Sequence, residues 1–485
     1  MSFLDHFLVI SYISALFTIT WFSIKTMART SGGEISERKS AEKQFLAGRQ
    51  ASTMEAVFSI VATEFSAMTF VQLPAMAMLG RRGLLWGLFG IMLGRWIISR
   101  FLLKNFYRSG LTVFDSLSRG IKNYSSSSPS AKRAQRLMAT IYFFSKVLSV
   151  AAAMYLGVSF VSRFYGWPYY WVLTAVVSIT ATYTIAGGLK AVMRTDILQF
   201  GTIMAGGLVL IVVALMQVGQ GNYDEAARLA NTVAFGTSGV WPVLAGIASG
   251  FVSDFTTHGV EQDFVQKLKA CKTPGIAAKA VAWSTWLTIL LQVLFMCIGA
   301  VFVAGMPEVH GGMTKAIEVF MDHTVASLGN GARGIVVVAI LSATMSSLDS
   351  SLNALSAVLW NDILPGERAS RYPIFLKIDN AVVAMFVTMF AYFVGQHPMY
   401  VKGFLTLNTY VLLPLACCFL MRFVCYPRVL FGYGLHTVVF TIVSCLIGWV
   451  LNTVYLGLPQ QTAIIFCLAV SVGTLWFYEK LKGWI

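Results

Sequence analysis

Charge is what this 485-residue sequence has least of. Asp, Glu, Lys and Arg make up only 12% of it, against 57% hydrophobic residues. A soluble globular domain carries roughly twice that charged share, so the composition excludes one. Cysteine is also scarce. The seven cysteines sit mostly inside apolar runs such as LACCFLMRFVC, with no extracellular pairing or metal-ligand spacing, and read as unpaired packing residues. No nucleophile and base pair, metal cluster or nucleotide-binding loop stands out, which argues against an enzyme. No basic region has the size of a nucleic-acid module, so the net charge of +15 needs another explanation.

What the sequence has is apolar runs of about 20 residues separated by short polar linkers. That length suits helices crossing a hydrocarbon core of roughly 30 Å and not alternating barrel strands. The expected fold is an all-α integral membrane bundle of about thirteen spans. They lie near residues 7–25, 54–79, 84–106, 137–163, 168–186, 197–219, 239–258, 278–304, 332–360, 374–395, 399–424, 430–452 and 461–479. The first run, FLVISYISALFTITWF, has no preceding basic residue and no small-residue cleavage site after it, so it reads as a retained helix. Lys and Arg crowd alternate loops, among them YRSGLTVFDSLSRGIKNYSSSSPSAKRAQR, GLKAVMR, KLKACK and GERASR. By the positive-inside rule those loops are cytoplasmic, which puts the N-terminus outside and the C-terminus inside and makes the excess charge a topology signal. GRRG at 80–83 breaks the pattern and reads as a partly buried turn. The one N-x-S/T sequon, Asn123 to Ser125, falls in a cytoplasmic loop, which favours a bacterial inner membrane.

A charged group near mid-membrane costs a few kcal/mol and usually faces a cavity or a partner. The candidates are Glu64, Lys146, Asp254, Asp349 and, nearer an edge, Asp196. The spans at 54–79 and 239–258 carry such residues among serines and threonines (VATEFSAMTF and SGFVSDFTTHG) and read as interrupted helices, whose freed backbone groups survive only where they line a cavity. Five spans follow each start, the layout of two five-helix repeats with the second inverted. The expected organisation is a flanking helix and loop at 1–53, a first repeat at 54–219, a second at 238–424 and flanking helices at 425–485.

The stretch SATMSSLDSSLNALSAVLWND, residues 342–362, continues an apolar run without a turn. On a helix, Ala343, Ser346, Ser347, Ser350 and Asn353 share one face, with Asp349 at its margin. Hydroxyl and carbonyl oxygens with few full charges suit a weakly charged hard cation such as Na+, and the lack of His or Cys argues against zinc, copper or iron. Small residues also let helices approach closely, which accounts for the serines equally well but poorly for Asp349.

In order and spacing, EKQFLAGR, ATEFSAMTF, YTIAGGLKAVMRTDILQ, EQDFVQKLKACKTP and ATMSSLDSSLNALSAVLWND resemble the sodium:solute symporter family of sodium/glucose, proline, sialic acid and iodide carriers. The resemblance implies a LeuT-type fold of two inverted five-helix repeats with flanking helices. It also implies a main sodium site built from backbone oxygens of Ala62, Phe65 and Ala343 and the hydroxyls of Ser346 and Ser347. A second cation or proton site would use Asp196, Asp349 and Ser350, although Asp349 stands where small hydroxyl residues are usual. Solute contacts would come from Glu64, Ser66, Thr69, Lys146 and Asp254. Lys146 falls where the sialic acid branch carries an arginine for the substrate carboxylate, which favours a solute bearing a carboxylate (sialic acid, sugar acid or amino acid); alternatively, Lys146 neutralises Glu64 or Asp254. His258, Glu261 and Asp263 read as gate or loop residues.

The function so implied is Na+-coupled uptake of a small polar organic solute by a monomer in a lipid bilayer, through alternating access. A proton-coupled or inorganic-anion symporter of the same fold is the alternative. A membrane ligand sensor is the non-transport reading, disfavoured because no output domain follows the last span, and a channel fits broken helices poorly.

Overall fold

The computed structural model describes residues 2–29, 37–79, 84–108, 110–118, 129–218, 239–304, 312–364, 374–419, 439 and 441–447, with 473 alone beyond them. Most of the expected spans at 430–452 and 461–479, most of the C-terminal flanking unit and the GRRG turn lie outside the described residues. Those described are almost wholly helical: α1 (Phe3–Arg29), α2 (Glu37–Leu46), α3 (Thr53–Glu64), α4 (Ala67–Met78), α5 (Leu84–Ile97), α6 (Leu103–Arg108), α7 (Val113–Ser118), α8 (Pro129–Tyr165), α9 (Tyr169–Gln217), α10 (Val240–Val260), α11 (Gln262–Ala270), α12 (Pro274–Ala304), α13 (Gly312–Ser327), α14 (Ala332–Val358), α15 (Ile374–Gln396) and α16 (Val401–Phe419). Seven described helices are individually long and apolar enough to cross a membrane, and the bent pair α3–α4 makes an eighth.

Helix α9 covers two of the expected spans. At 49 residues it would run roughly 70 Å as one rod, far more than a bilayer needs. Its backbone leaves the helix at Gly188, with φ 58° and ψ −166°, a conformation essentially restricted to glycine. The first apolar run is a helix that joins the bundle. Asp5 at its start accepts hydrogen bonds from the amides of Gly331 (2.8 Å) and Gly334 (2.9 Å), tying α1 to the N-terminus of α14.

Two interruptions set up the interior. Helix α3 starts with a capping box between Ser52 and Glu55 and stops at Glu64; Phe65 is non-helical (φ −84°, ψ 69°) and Ser66 N-caps α4. The two halves meet at a 59° bend. The second interruption differs from the expectation. Helix α10 runs unbroken to Val260, and the backbone extends only at Glu261 (φ −69°, ψ 132°) before α11 begins. The Ser, Thr and Gly content of SGFVSDFTTHG does not break the helix because its hydroxyls bond within it: Thr256 Oγ1 donates to the carbonyls of Val252 and Ser253, each at 2.8 Å.

Helix α10 lies against α5 backbone to backbone. A Cβ on Gly90 would collide with the carbonyl of Ile247 and the amide of Phe251, and one on Gly250 with the carbonyl of Gly87. Glycine here provides close approach, the membrane form of small-residue packing. Gly90→Leu is expected to remove most monodisperse protein from a detergent size-exclusion profile. Gly201→Ala, where a Cβ meets nothing within 4 Å, leaves the profile unchanged.

Candidate functional site

Helix α14 is buried along almost its whole length and carries the serine stripe past the end of α3. Ser346 Oγ donates to the carbonyls of Ala62 (2.8 Å) and Ala343 (3.4 Å). Ser347 Oγ donates to the carbonyls of Thr63 (3.1 Å) and Ala343 (3.2 Å). Two hydroxyls and three carbonyl oxygens from two helices therefore converge beside the break at Phe65. Such a neutral oxygen set fits a hard monovalent cation. Ala62, Ala343, Ser346 and Ser347 are brought together as the resemblance implies. Phe65 stands at the adjoining non-helical residue, and Thr63 adds a carbonyl that sequence reasoning missed.

Next to these oxygens is a cavity of about 800 Å³, within the range of small-ligand sites. All five solute candidates line it: Glu64, Ser66, Thr69, Lys146 and Asp254. Ser66 and Thr69 form a hydroxyl pair at 3.4 Å on the first turn of α4. The charged candidates pair differently from the expectation. Lys146 Nζ binds Glu261 Oε2 and, at 2.9 Å, Asp263 Oδ2, not Glu64 or Asp254. Asn408 Nδ2 holds the other Glu261 oxygen at 3.1 Å. Glu261 and Asp263 thus line the cavity at the second interruption, where an extended residue turns its carboxylate inward.

Glu64 and Asp254 share a partner that the sequence reading did not single out. Arg95 Nη2 donates to Glu64 Oε2 at 2.6 Å and Arg95 Nε to Asp254 Oδ1 at 3.0 Å. Thr288 Oγ1 donates to Glu64 Oε2 at 2.6 Å, and His258 Nδ1 lies 3.0 Å from Asp254 Oδ1. Glu64, Asp254 and His258 gather within 4.8 Å, a spacing a metal ion would suit. The guanidinium, only 2% exposed, already fills that place. Of the aromatic residues, Phe65 and Phe264 line the cavity, and Phe58, Phe70, Trp86 and Phe255 do not.

Asp196, Asp349 and Ser350 fall together in a third, fully interior cluster. Asp349 Oδ2 accepts from Tyr183 OH at 2.6 Å, and Ser350 Oγ from or to Thr63 Oγ1 at 2.8 Å. Asp196 Oδ2 accepts from Ser59 Oγ and faces Lys267 Nζ at 3.4 Å. Lys267 was counted as a loop charge; it is 0% exposed.

The model of the sodium:solute symporter family matches residues 44–426. The chain belongs to that family. This member is 25% identical over 358 residues to the Homo sapiens sodium/iodide cotransporter, covering 69% of this chain and 53% of that one. It is 24% identical over 351 residues to the sodium/sialic acid symporter NanT of Aliivibrio fischeri, covering 69% and 66%. Against sodium-coupled monocarboxylate transporter 2 of Bos taurus it is 27% identical over 356 residues, covering 68% and 54%. The family member therefore spans between half and two thirds of the length of these curated relatives. A solved structure of a substrate-bound, outward-open Na+-coupled sialic acid symporter aligns with a TM-score of 0.79 at 17% identity, over 97% of this chain and 96% of that one. That likeness shows the LeuT-type fold for a multi-pass membrane protein.

Proposed function

We propose that the chain couples inward Na+ movement to uptake of a small polar organic solute by alternating access. The observation that carries this reading is the meeting of Ser346 and Ser347 with the carbonyls of Ala62 and Thr63, beside a broken helix and an 800 Å³ cavity. Ala62, Phe65, Ala343, Ser346 and Ser347 hold the coupling ion, and Glu64, Ser66, Thr69, Lys146 and Asp254 face the solute. The two sites meet at the break between α3 and α4: Ala62 and Phe65 serve the ion, Glu64, Ser66 and Thr69 the solute. Filling the ion site fixes the bend between them, and with it the hydroxyl pair of Ser66 and Thr69.

The solute proposed is one that bears a carboxylate. Lys146 is the one lysine or arginine among the described residues lining the cavity, and the names of the sialic acid and monocarboxylate relatives support that chemistry. Lys146 shares its charge between Glu261 and Asp263, so an arriving carboxylate exchanges with one of them. The 54–219 and 238–424 repeats, an outside N-terminus, a monomer and a bacterial inner membrane complete the proposal.

The test is uptake into proteoliposomes of a panel of sialic acids, sugar acids, amino acids, sugars and inorganic anions, driven by a Na+ gradient or a pH gradient. Na+-driven accumulation of an organic acid, lost in Lys146→Met, is the expected result. Accumulation that follows the pH gradient and ignores Na+ overturns sodium coupling in favour of protons.

A further inference from the structure

Each of the three carboxylate clusters near mid-membrane contains a basic side chain of the chain's own. Arg95 sits between Glu64 and Asp254, Lys146 between Glu261 and Asp263, and Lys267 against Asp196. The serine site stands apart: among the described residues, the hydroxyls of Ser346 and Ser347 bond to backbone carbonyls and not to a basic group.

The third cluster is the informative one, because its residues are those a second sodium ion would need. The ε-ammonium of Lys267 donates to the carbonyl of Ser59 at 2.8 Å and to Thr63 Oγ1, and lies 3.4 Å from Asp196 Oδ2. A carbonyl, a hydroxyl and a carboxylate are the ligand types of a sodium site. Here they match the three donors of one ammonium, which leaves none of its protons unpaired in a fully buried place. Thr63 passes the contact on to Ser350 at 2.8 Å, so the hydroxyl that a second ion would take from α14 is already engaged. Asp349, the remaining carboxylate, is held by hydroxyl donors, Tyr183 at 2.6 Å and Ser350 at 3.3 Å.

We infer that the Lys267 ammonium is a tethered cation occupying the second cation position, so that the protein binds one Na+ per cycle, at the serine site alone. This rests on the symporter reading above and adds the number of ions to it. The tether has a mechanical consequence. Lys267 belongs to α11, the half-helix after the second interruption, while Ser59 and Thr63 belong to α3 and Asp196 to α9. The two broken helices are thus joined through a charge that never leaves, where an exchangeable ion would join them only while bound. Losing that contact would need α11 to move away from α3, which makes it a link between the two halves during the conformational cycle.

The test is equilibrium binding of radioactive sodium to the purified full-length protein in detergent or nanodiscs, counted per chain. One ion is expected for wild type with a Hill coefficient near one, one for Lys267→Arg, and two for Lys267→Ala, in which the vacated oxygens accept an ion from solution. Two ions on the wild type, or a single ion on folded Lys267→Ala, overturns the inference; the wild-type count decides by itself if the alanine variant does not fold. No sodium bound to any variant would instead overturn the symporter reading on which it rests.

Discussion

Arg95→Met is expected to remove most of the folded protein. Arg95 is 2% exposed and its guanidinium bridges Glu64 on the first broken helix to Asp254 on α10. Without it the buried carboxylate of Asp254 and the half-buried one of Glu64 face each other, with Thr288 and His258 beside them. Breaking a buried ion pair by deleting one partner costs about 3–5 kcal/mol, chiefly for the charge left behind. Typical total stabilities are about 5–15 kcal/mol, so the loss is large. Size-exclusion yield and the detergent melting temperature measure it. Combining Arg95→Met with Glu64→Gln and Asp254→Asn restores yield, because no buried charge is then uncompensated, without restoring uptake. A single Arg95→Met variant with the wild-type melting temperature would contradict the pairing.

The second large effect is on transport. Ser346→Ala with Ser347→Ala deletes two of the five oxygens gathered at the break and leaves the carbonyls of Ala62, Thr63 and Ala343 without their hydroxyl partners. A polar contact to a charged group is worth about 1.5–3 kcal/mol, so an ion that loses one hydroxyl ligand should raise the Na+ concentration for half-maximal uptake by roughly 10- to 100-fold, and the loss of both should raise it beyond a measurable range. Alanine keeps the helix and fills most of the same volume, so the folded yield changes little by comparison. Uptake initial rates against Na+ concentration separate the two variants from the Arg95 variant, which loses protein rather than coupling.

These two sites were legible in the sequence to different degrees, for physical reasons. The helical bundle follows from apolar run length. The first break follows from polar residues inside a run, with Ser66 placed to cap what comes after it. The serine face follows from helical periodicity alone, and its residues meet α3 as that face requires. Arg95 escaped notice although it stands at the middle of the expected span 84–106, where a charged side chain is itself a sign of an interior partner. Nothing local in GRWIISR says that it turns inward to partners 31 and 159 positions away. Lys267 escaped because KLKACK looks like a cytoplasmic loop. In the structure all nine residues of α11 are buried, and its charges enter the interior with it. The second break was misplaced for the opposite reason. Hydroxyl-rich sequence suggested an interruption at 249–259, whereas Glu261 extends the backbone with neither glycine nor proline beside the break except Gly259 two positions earlier. Local composition reports what a residue is; which distant carboxylate it meets depends on how the helices close around it.

The proposed coupling requires the oxygen cluster between α3 and α14 to hold Na+ in preference to other alkali ions, and one measurement reaches that directly. It is the melting temperature of the purified protein in NaCl against KCl and choline chloride at equal ionic strength, with no solute added. A ligand that binds only the folded state stabilises it by about 2.7 kcal/mol at a hundredfold excess over its Kd. The prediction is a higher melting temperature in NaCl alone, saturating with concentration and absent in Ser346→Ala with Ser347→Ala. Equal melting temperatures in the three salts, or a sodium shift that survives in the double variant, would contradict it.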